Sequence, residues 1–308
     1  MIASEILSRS DAIRESYQRA KPFRHVCLDG FLEATVAAQL LAEFPPFDPK
    51  YARNEMGEVG GKAVHTDLAG IGPAYREFYD YMRSPLFLDA MSRMLGIPDL
   101  LFDPHMYGGG THENLEGQEL DPHIDFNYDP VRRWHRRLNL LVYLNKEWEL
   151  DWGGGIELHS DPRRWDQDRV TSFNCEFNRA VIFETNEHSW HGFRRIKLPE
   201  AKRGLSRKCI SVYLYTKRRP KDEIAPPHGT FYVQRPLPPE IKAGRVLTGA
   251  DVEEIKRLLT RRDGWIKQYQ ERELQFGRER ASLGALLRTL FKGAGRRATA
   301  RLKILSNH

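Results

Sequence analysis

The chain has 308 residues, 40% hydrophobic and 29% charged, with 24 glycines and 18 prolines. That is the composition of a globular protein of one large or two ordinary domains. It excludes collagen, coiled coil and wholesale disorder, and no stretch approaches the ~18 apolar residues of a membrane span. The net charge of +6 is unevenly placed: seven basic residues and no acidic one lie between Arg280 and His308, so the rest of the chain is close to neutral.

Residues 1–20 read as helix, with charges where a secretory leader would carry its apolar core. Phe23 to Leu28 reads as a short strand, and Ala34 to Phe44 as a helix stopped by Pro45-Pro46. Residues 47–72 are Gly-rich and irregular, and the aromatic spacing from Pro73 to Leu95 predicts one helix ending at Gly96. From about residue 100 to 216 the texture changes to short β-rich runs. These are LNLLVYLN (138–145), GGIELHS (154–160), RAVIFET (179–185) and KCISVYLYT (208–216). Many short strands at such spacing point to a sandwich or jelly roll. Residues 217–239 are Pro-rich and read as extended. Residues 250–292 return to helix, with Asp251 as a candidate N-cap. The expected organisation is a helical support region over 1–99, a β core over 100–239 and a helical extension with a basic tail over 240–308.

Three cysteines, Cys27, Cys175 and Cys209, stand far apart, odd in number and without CxxC. A disulfide scaffold and a zinc ribbon are excluded, and a cytoplasmic chain with reduced thiols is expected. Leu283, Leu286, Leu287, Leu290 and Phe291 recur at helical spacing among the tail charges. Such a helix either packs its leucine face on its own domain or touches an anionic membrane, at the inner face, or an acidic partner.

The local signal for chemistry is His123-Ile124-Asp125. In a strand, residues i and i+2 point to one face, so an imidazole and a carboxylate can address one metal. A turn-capping Asp beside a histidine gives the same tripeptide. His191, after RAVIFET, supplies a third ligand, with His188 as its alternative. Two histidines and one carboxylate form the facial set of non-haem Fe(II) sites, leaving three positions open. Arg207 opens a later apolar strand, where a guanidinium grips a carboxylate in a fork that Lys cannot match. Arg203 and Lys208 stand close enough to compete for that role.

Taken in order, His123-x-Asp125, Tyr143-Leu144-Asn145-x-x-Trp148, the glycines before Ile156-Glu157-Leu158, His191 and Arg207 resemble the Fe(II)- and 2-oxoglutarate (2OG)-dependent dioxygenases. The likeness is to their prolyl-hydroxylase-like branch, in a bacterial subgroup with helices around the same core, and spans about residues 100–216. It implies an α+β chain with a double-stranded β-helix (jelly-roll) core between N- and C-terminal helices. It implies that His123, Asp125 and His191 bind Fe(II), and that Arg207 holds the distal carboxylate of 2OG with Tyr143 as a second donor. O2 is the oxidant, ascorbate a candidate reductant, and succinate and CO2 are products. Members that halogenate lack the carboxylate, so Asp125 favours hydroxylation or desaturation.

Period-2 alternation with Leu141 and Tyr143 turns Asn139, and with it Arg137, toward the 2OG pocket. The loop 106–122 brings His112, Glu113 and Asn114 near the mouth as candidate substrate contacts. Asn127, Tyr128 and His159 are further candidates, His159 having a rim-histidine reading beside the functional one. The GGG runs at 108–110 and 153–155 lack the strand-loop-helix context of nucleotide binding. The expected activity is hydroxylation of an unactivated C–H bond of a small molecule, an amino-acid-derived metabolite or a saccharide. The competing readings are a protein (prolyl-type) hydroxylase and a non-catalytic jelly-roll binder whose tail contacts membrane or nucleic acid. Because the basic residues lie outside the core, no nucleic-acid partner is expected.

Overall fold

The computed structural model describes residues 1–52 and 62–305, with side chains described to residue 278 and again at 282–284. The chain forms two compact units, Met1–Pro236 and Leu237–His308. In the first, twelve strands build two antiparallel sheets. They are β1 (His25–Leu28), β2 (Ala63–His65), β3 (Leu101–Phe102), β4 (Gly110–Asn114), β5 (Leu120–Ile124) and β6 (His135–Tyr143), followed by β7 (Ile156–His159), β8 (Val170–Phe173), β9 (Ala180–Glu184), β10 (Trp190–Phe193), β11 (Arg207–Thr216) and β12 (Phe231–Tyr232). The major sheet runs β1-β9-β6-β11-β4-β2, with β3 also on β11, and the minor sheet runs β12-β5-β10-β7-β8. This is the jelly roll expected from the sequence, with helices flanking its sheets.

The near-continuous apolar runs are explained by burial on both faces. On β6, Leu138, Leu140 and Val142 join Ala180, Ile182, Ile210, Val212 and Leu214 in a core shared with the N-terminal helices. The alternate residues Leu141 and Tyr143 pack with Val181, Phe183 and Cys209, and with Ile156, Leu158 and Phe193 of the minor sheet, in a core between the sheets. Each fully buried Leu or Val contributes ~1.5–3 kcal/mol, so this double burial fixes strand register as well as stability.

The N-terminal helices are α1 (Ser4–Ser8), α2 (Ser10–Arg19), α3 (Ala34–Ala42), α4 (Pro73–Met82) and α5 (Pro85–Leu95). The single helix expected over Pro73–Leu95 is two. Ser84, extended before Pro85, caps α5 through a hydrogen bond from Phe87 N–H, because proline excludes the helical conformation from the residue before it. The segment 106–122, expected to be a loop, holds β4 and the start of β5. Its polar sequence forms strand because β4 pairs with β11 and β2. Residues 53–61 of the Gly-rich stretch lie outside the described residues.

In the second unit, α6 runs Gly249–Leu305, past the expected end at residue 292. Its cap is Thr248 rather than Asp251. The Thr248 Oγ1 accepts from Asp251 N–H at 3.2 Å and the Asp251 carboxylate accepts from Thr248 N–H at 2.8 Å, a reciprocal capping box. Leu283 is exposed; the basic residues from Arg280 onward, on which a membrane or partner contact was expected, lie outside the described side chains. Among the described residues, no helix is long and apolar enough to cross a membrane.

Candidate metal centre

His123 on β5 and His191 on β10 are directly opposite in the minor sheet, with ring centroids 4.2 Å apart. Asp125 follows the end of β5. One ligand atom from each of the three lies within 4.8 Å of the others, and this is the only such group of His, Cys, Asp or Glu among the described residues. His123 Nδ1 lies 2.9 Å from the Asp121 carbonyl and His191 Nδ1 lies 2.8 Å from the Ser189 carbonyl. A carbonyl only accepts, so both Nδ1 atoms carry a proton and both Nε2 atoms are left to face inward. Those Nε2 atoms face Asp125, at 3.6 Å from Oδ1 and 3.3 Å from Oδ2. Burial pushes the His123 pKa down to about 3, so the ring is neutral. Burial alone would raise the Asp125 carboxyl, but the Arg136 guanidinium beside it outweighs burial and holds it well below the usual range. Two imidazoles and one carboxylate, the imidazoles oriented by backbone carbonyls, fit a divalent ion. His188 is exposed and outside this group.

Arg207 is buried at the start of β11, whereas Arg203 is exposed. Its Nε donates to the Gly154 carbonyl at 2.6 Å, Nη1 to Asn114 Oδ1 at 3.2 Å and Nη2 to the Tyr143 hydroxyl at 3.1 Å. Its guanidinium lies 4.5 Å from the centre of the Phe193 ring. Phe193 stands two residues beyond His191 on β10, so Arg207 and the metal-ligating set share one face. Along β11 the same alternation places Cys209, Ser211 and Tyr213 on that face. Ser211 Oγ, between Arg207 and Tyr213 on β11, is buried and has no hydrogen-bond partner.

The 153–155 glycines serve this site. Gly153 has φ +74°, and a Cβ there would overlap the Arg195 carbonyl oxygen. The turn also brings the Gly153 carbonyl to Trp148 Nε1 at 2.8 Å and the Gly154 carbonyl to Arg207. Gly153→Ala is expected to lower stability by more than ~1 kcal/mol, seen as a lower Tm, because both the dihedral and the space reject a methyl group.

The other expected residues divide. Asn139 lies on the inner face, but its Nδ2 donates to Asp125 Oδ2 at 2.8 Å and it has no hydrogen bond to Arg207. Arg137 faces elsewhere, toward Glu184 and Glu223 at 3.7 and 3.5 Å. The cause is a bulge: Leu138 pairs with Leu214, but Arg136, not Arg137, pairs with Tyr215. One extra residue on β6 shifts the alternation and turns Arg136 inward. Sequence reasoning missed Arg136 for that reason, and missed Ser211, which carries no motif.

On β4, His112 pairs with Cys209 and Asn114 with Arg207, so both share the inner face. Burial lowers the His112 pKa well below its usual value. Glu113 points to the opposite face, where Lys208 reaches it at 3.0 Å and Ser206 donates to it. Asn127 and Tyr128 bind a strap: Asn127 Nδ2 donates to the Pro226 carbonyl at 2.9 Å and the Tyr128 hydroxyl to that of Ala225 at 3.3 Å. The strap ends in β12, where Tyr232 stacks on His123 with centroids 5.3 Å apart. His159 is turned away, because Leu158, not His159, pairs with His191; its Nδ1 lies 2.6 Å from Asp168.

The jelly roll thus holds two histidines and one carboxylate between its sheets. Residues 107–215 match the family model of the 2OG-Fe(II) oxygenase superfamily. The core therefore carries the pattern of that superfamily, whose cofactors are Fe(II), 2OG and O2, in agreement with the motif resemblance. No curated protein matches the chain in sequence. Among solved structures, the chain is similar to a prolyl-4-hydroxylase from Pseudomonas putida, at 16% identity and TM-score 0.49, over 67% of this chain and 98% of that one. It is also similar to HygX from Streptomyces hygroscopicus, solved with nickel and 2-oxoglutarate bound, at 14% identity and TM-score 0.43, over 74% of this chain and 96% of that one. An oxidoreductase of the 2OG-Fe(II) oxygenase family from Burkholderia pseudomallei matches at 12% identity and TM-score 0.43, over 70% and 90% of the two chains.

Proposed function

We propose that the chain is an Fe(II)- and 2OG-dependent dioxygenase that hydroxylates an unactivated C–H bond of a small molecule. The observation that carries this reading is Arg207. It is buried on the face shared with His123, Asp125 and His191, and among the described residues it has no acidic partner within ion-pair distance. A buried cation held only by neutral groups is costly unless a carboxylate arrives to pair with it. The distal carboxylate of a keto acid fits that need, with the Tyr143 hydroxyl as a second contact. His123, Asp125 and His191 would hold the iron and leave three positions open. When bound, iron and 2OG supply the oxidising chemistry, in which the keto acid leaves as succinate and CO2 and one oxygen atom enters the C–H bond.

The chain's own groups orient the reactants and exclude water. The two backbone-held imidazoles fix where the metal sits, and Phe183 packs against His191 at 4.6 Å between centroids. The strap over 225–232 and the stacked Tyr232 cover His123 from one side, which favours a compact substrate over a polypeptide segment. His112 is the best placed of the expected substrate contacts, since it shares the inner face. The test is anaerobic addition of Fe(II) and then 2OG to the wild type and to His191→Ala. A visible charge-transfer band that needs both additions and is lost in the variant supports the reading. A wild type that binds neither overturns it.

A further inference from the structure

Arg136 is a fully buried arginine directly beside a proposed metal ligand. Its Nη2 lies 2.9 Å from Asp125 Oδ2. Its Nε and Nη2 also donate to Asn139 Oδ1, at 3.1 and 2.8 Å, and Asn139 Nδ2 in turn donates to the same Asp125 oxygen at 2.8 Å. Oδ2 thus receives one hydrogen bond, from Asn139, and stands in an ion pair with the guanidinium, which in turn holds Asn139. The guanidinium also lies against the Tyr213 and Phe126 rings, 3.5 and 4.4 Å from their centres. All of this depends on the β6 bulge that turns Arg136 inward.

Resting on the metal reading above, we infer that Arg136, with Asn139, is a positioning residue that fixes the orientation of the Asp125 carboxylate and so restricts it to metal ligation through one oxygen rather than both. A carboxylate free to bind through both oxygens would fill one of the positions that the keto acid and O2 require. The guanidinium fork is needed because it reaches Asp125 and Asn139 together, which an ammonium group does only in part.

The test uses the full chain without turnover. Mn(II) affinity is read from the electron paramagnetic resonance signal of the free ion, and coordination from the absorption spectrum of the Co(II)-loaded protein. Arg136→Gln is expected to weaken Mn(II) binding ~10–100-fold, the usual effect of losing a partner of a metal ligand, and to change the Co(II) spectrum. Arg136→Lys is expected to fall between the two. Wild-type affinity together with a wild-type Co(II) spectrum in Arg136→Gln overturns the inference. If Arg136→Gln fails to fold, Asn139→Leu, which removes the hydrogen bond to Asp125 and leaves the ion pair, is read the same way with a smaller expected loss. A wild type that binds no Mn(II) overturns the metal reading, and this inference with it.

Discussion

Replacing His191 by alanine is expected to reduce 2OG-dependent succinate release by well over ~100-fold, beyond the upper range for losing a mere partner of a ligand. The fold should survive. His191 lies in the minor sheet with its Nδ1 on a backbone carbonyl, so the change removes an imidazole without stranding a buried charge. Asp125→Ala is a poorer probe of the same idea. It would leave Arg136 buried and unpaired, a situation that costs ~3–5 kcal/mol, so lost activity there mixes chemistry with unfolding. The check is succinate release over a range of Fe(II) concentrations, with circular dichroism as the control for folding. Full turnover in a folded His191→Ala protein would remove this residue from the metal set.

The second large effect belongs to Arg207. Arg207→Ala should raise the 2OG concentration needed for half-maximal turnover ~30-fold or more, the low end of losing one member of a buried charge pair at ~2–5 kcal/mol. Mn(II) affinity should stay near wild type, because none of the hydrogen bonds of Arg207 reaches His123, Asp125 or His191. Tyr143→Phe keeps the ring and loses only the hydroxyl, so its effect should be about a tenfold change or less. An unchanged 2OG requirement in Arg207→Ala would send the search for the carboxylate site elsewhere on the inner face.

The comparison of residues with geometry shows where sequence reading works. His123 and Asp125 are two apart on or beside a strand, and His191 follows another, so period-2 alternation and order along the chain bring the three together. Arg207 follows from its place at the head of an apolar strand, whereas Tyr143 comes from the motif resemblance. Alternation then fails at Arg137, because a bulge is set by the pairing partner and leaves no mark in the residues themselves. Glu113 fails for a related reason. A polar segment read as loop gives no face, and only its pairing with β11 shows that His112 and Asn114 turn inward while Glu113 does not. The α4–α5 break was legible in principle: Ser84-Pro85 is a cap followed by proline, but regular aromatic spacing on both sides masks it.

The pairing of His123 with His191 has a mechanical side. These residues face each other across a ladder that holds one further paired position, Leu120 with Phe193, and is irregular between the two. An ion gripping both imidazoles would rivet β5 to β10 where their backbone pairing is thinnest. By linkage, an ion present at a hundred times its Kd adds ~2.7 kcal/mol to the state that binds it. Metal occupancy and the closure of the minor sheet would then be one equilibrium, and iron would serve as a fastener of the barrel as well as its reagent.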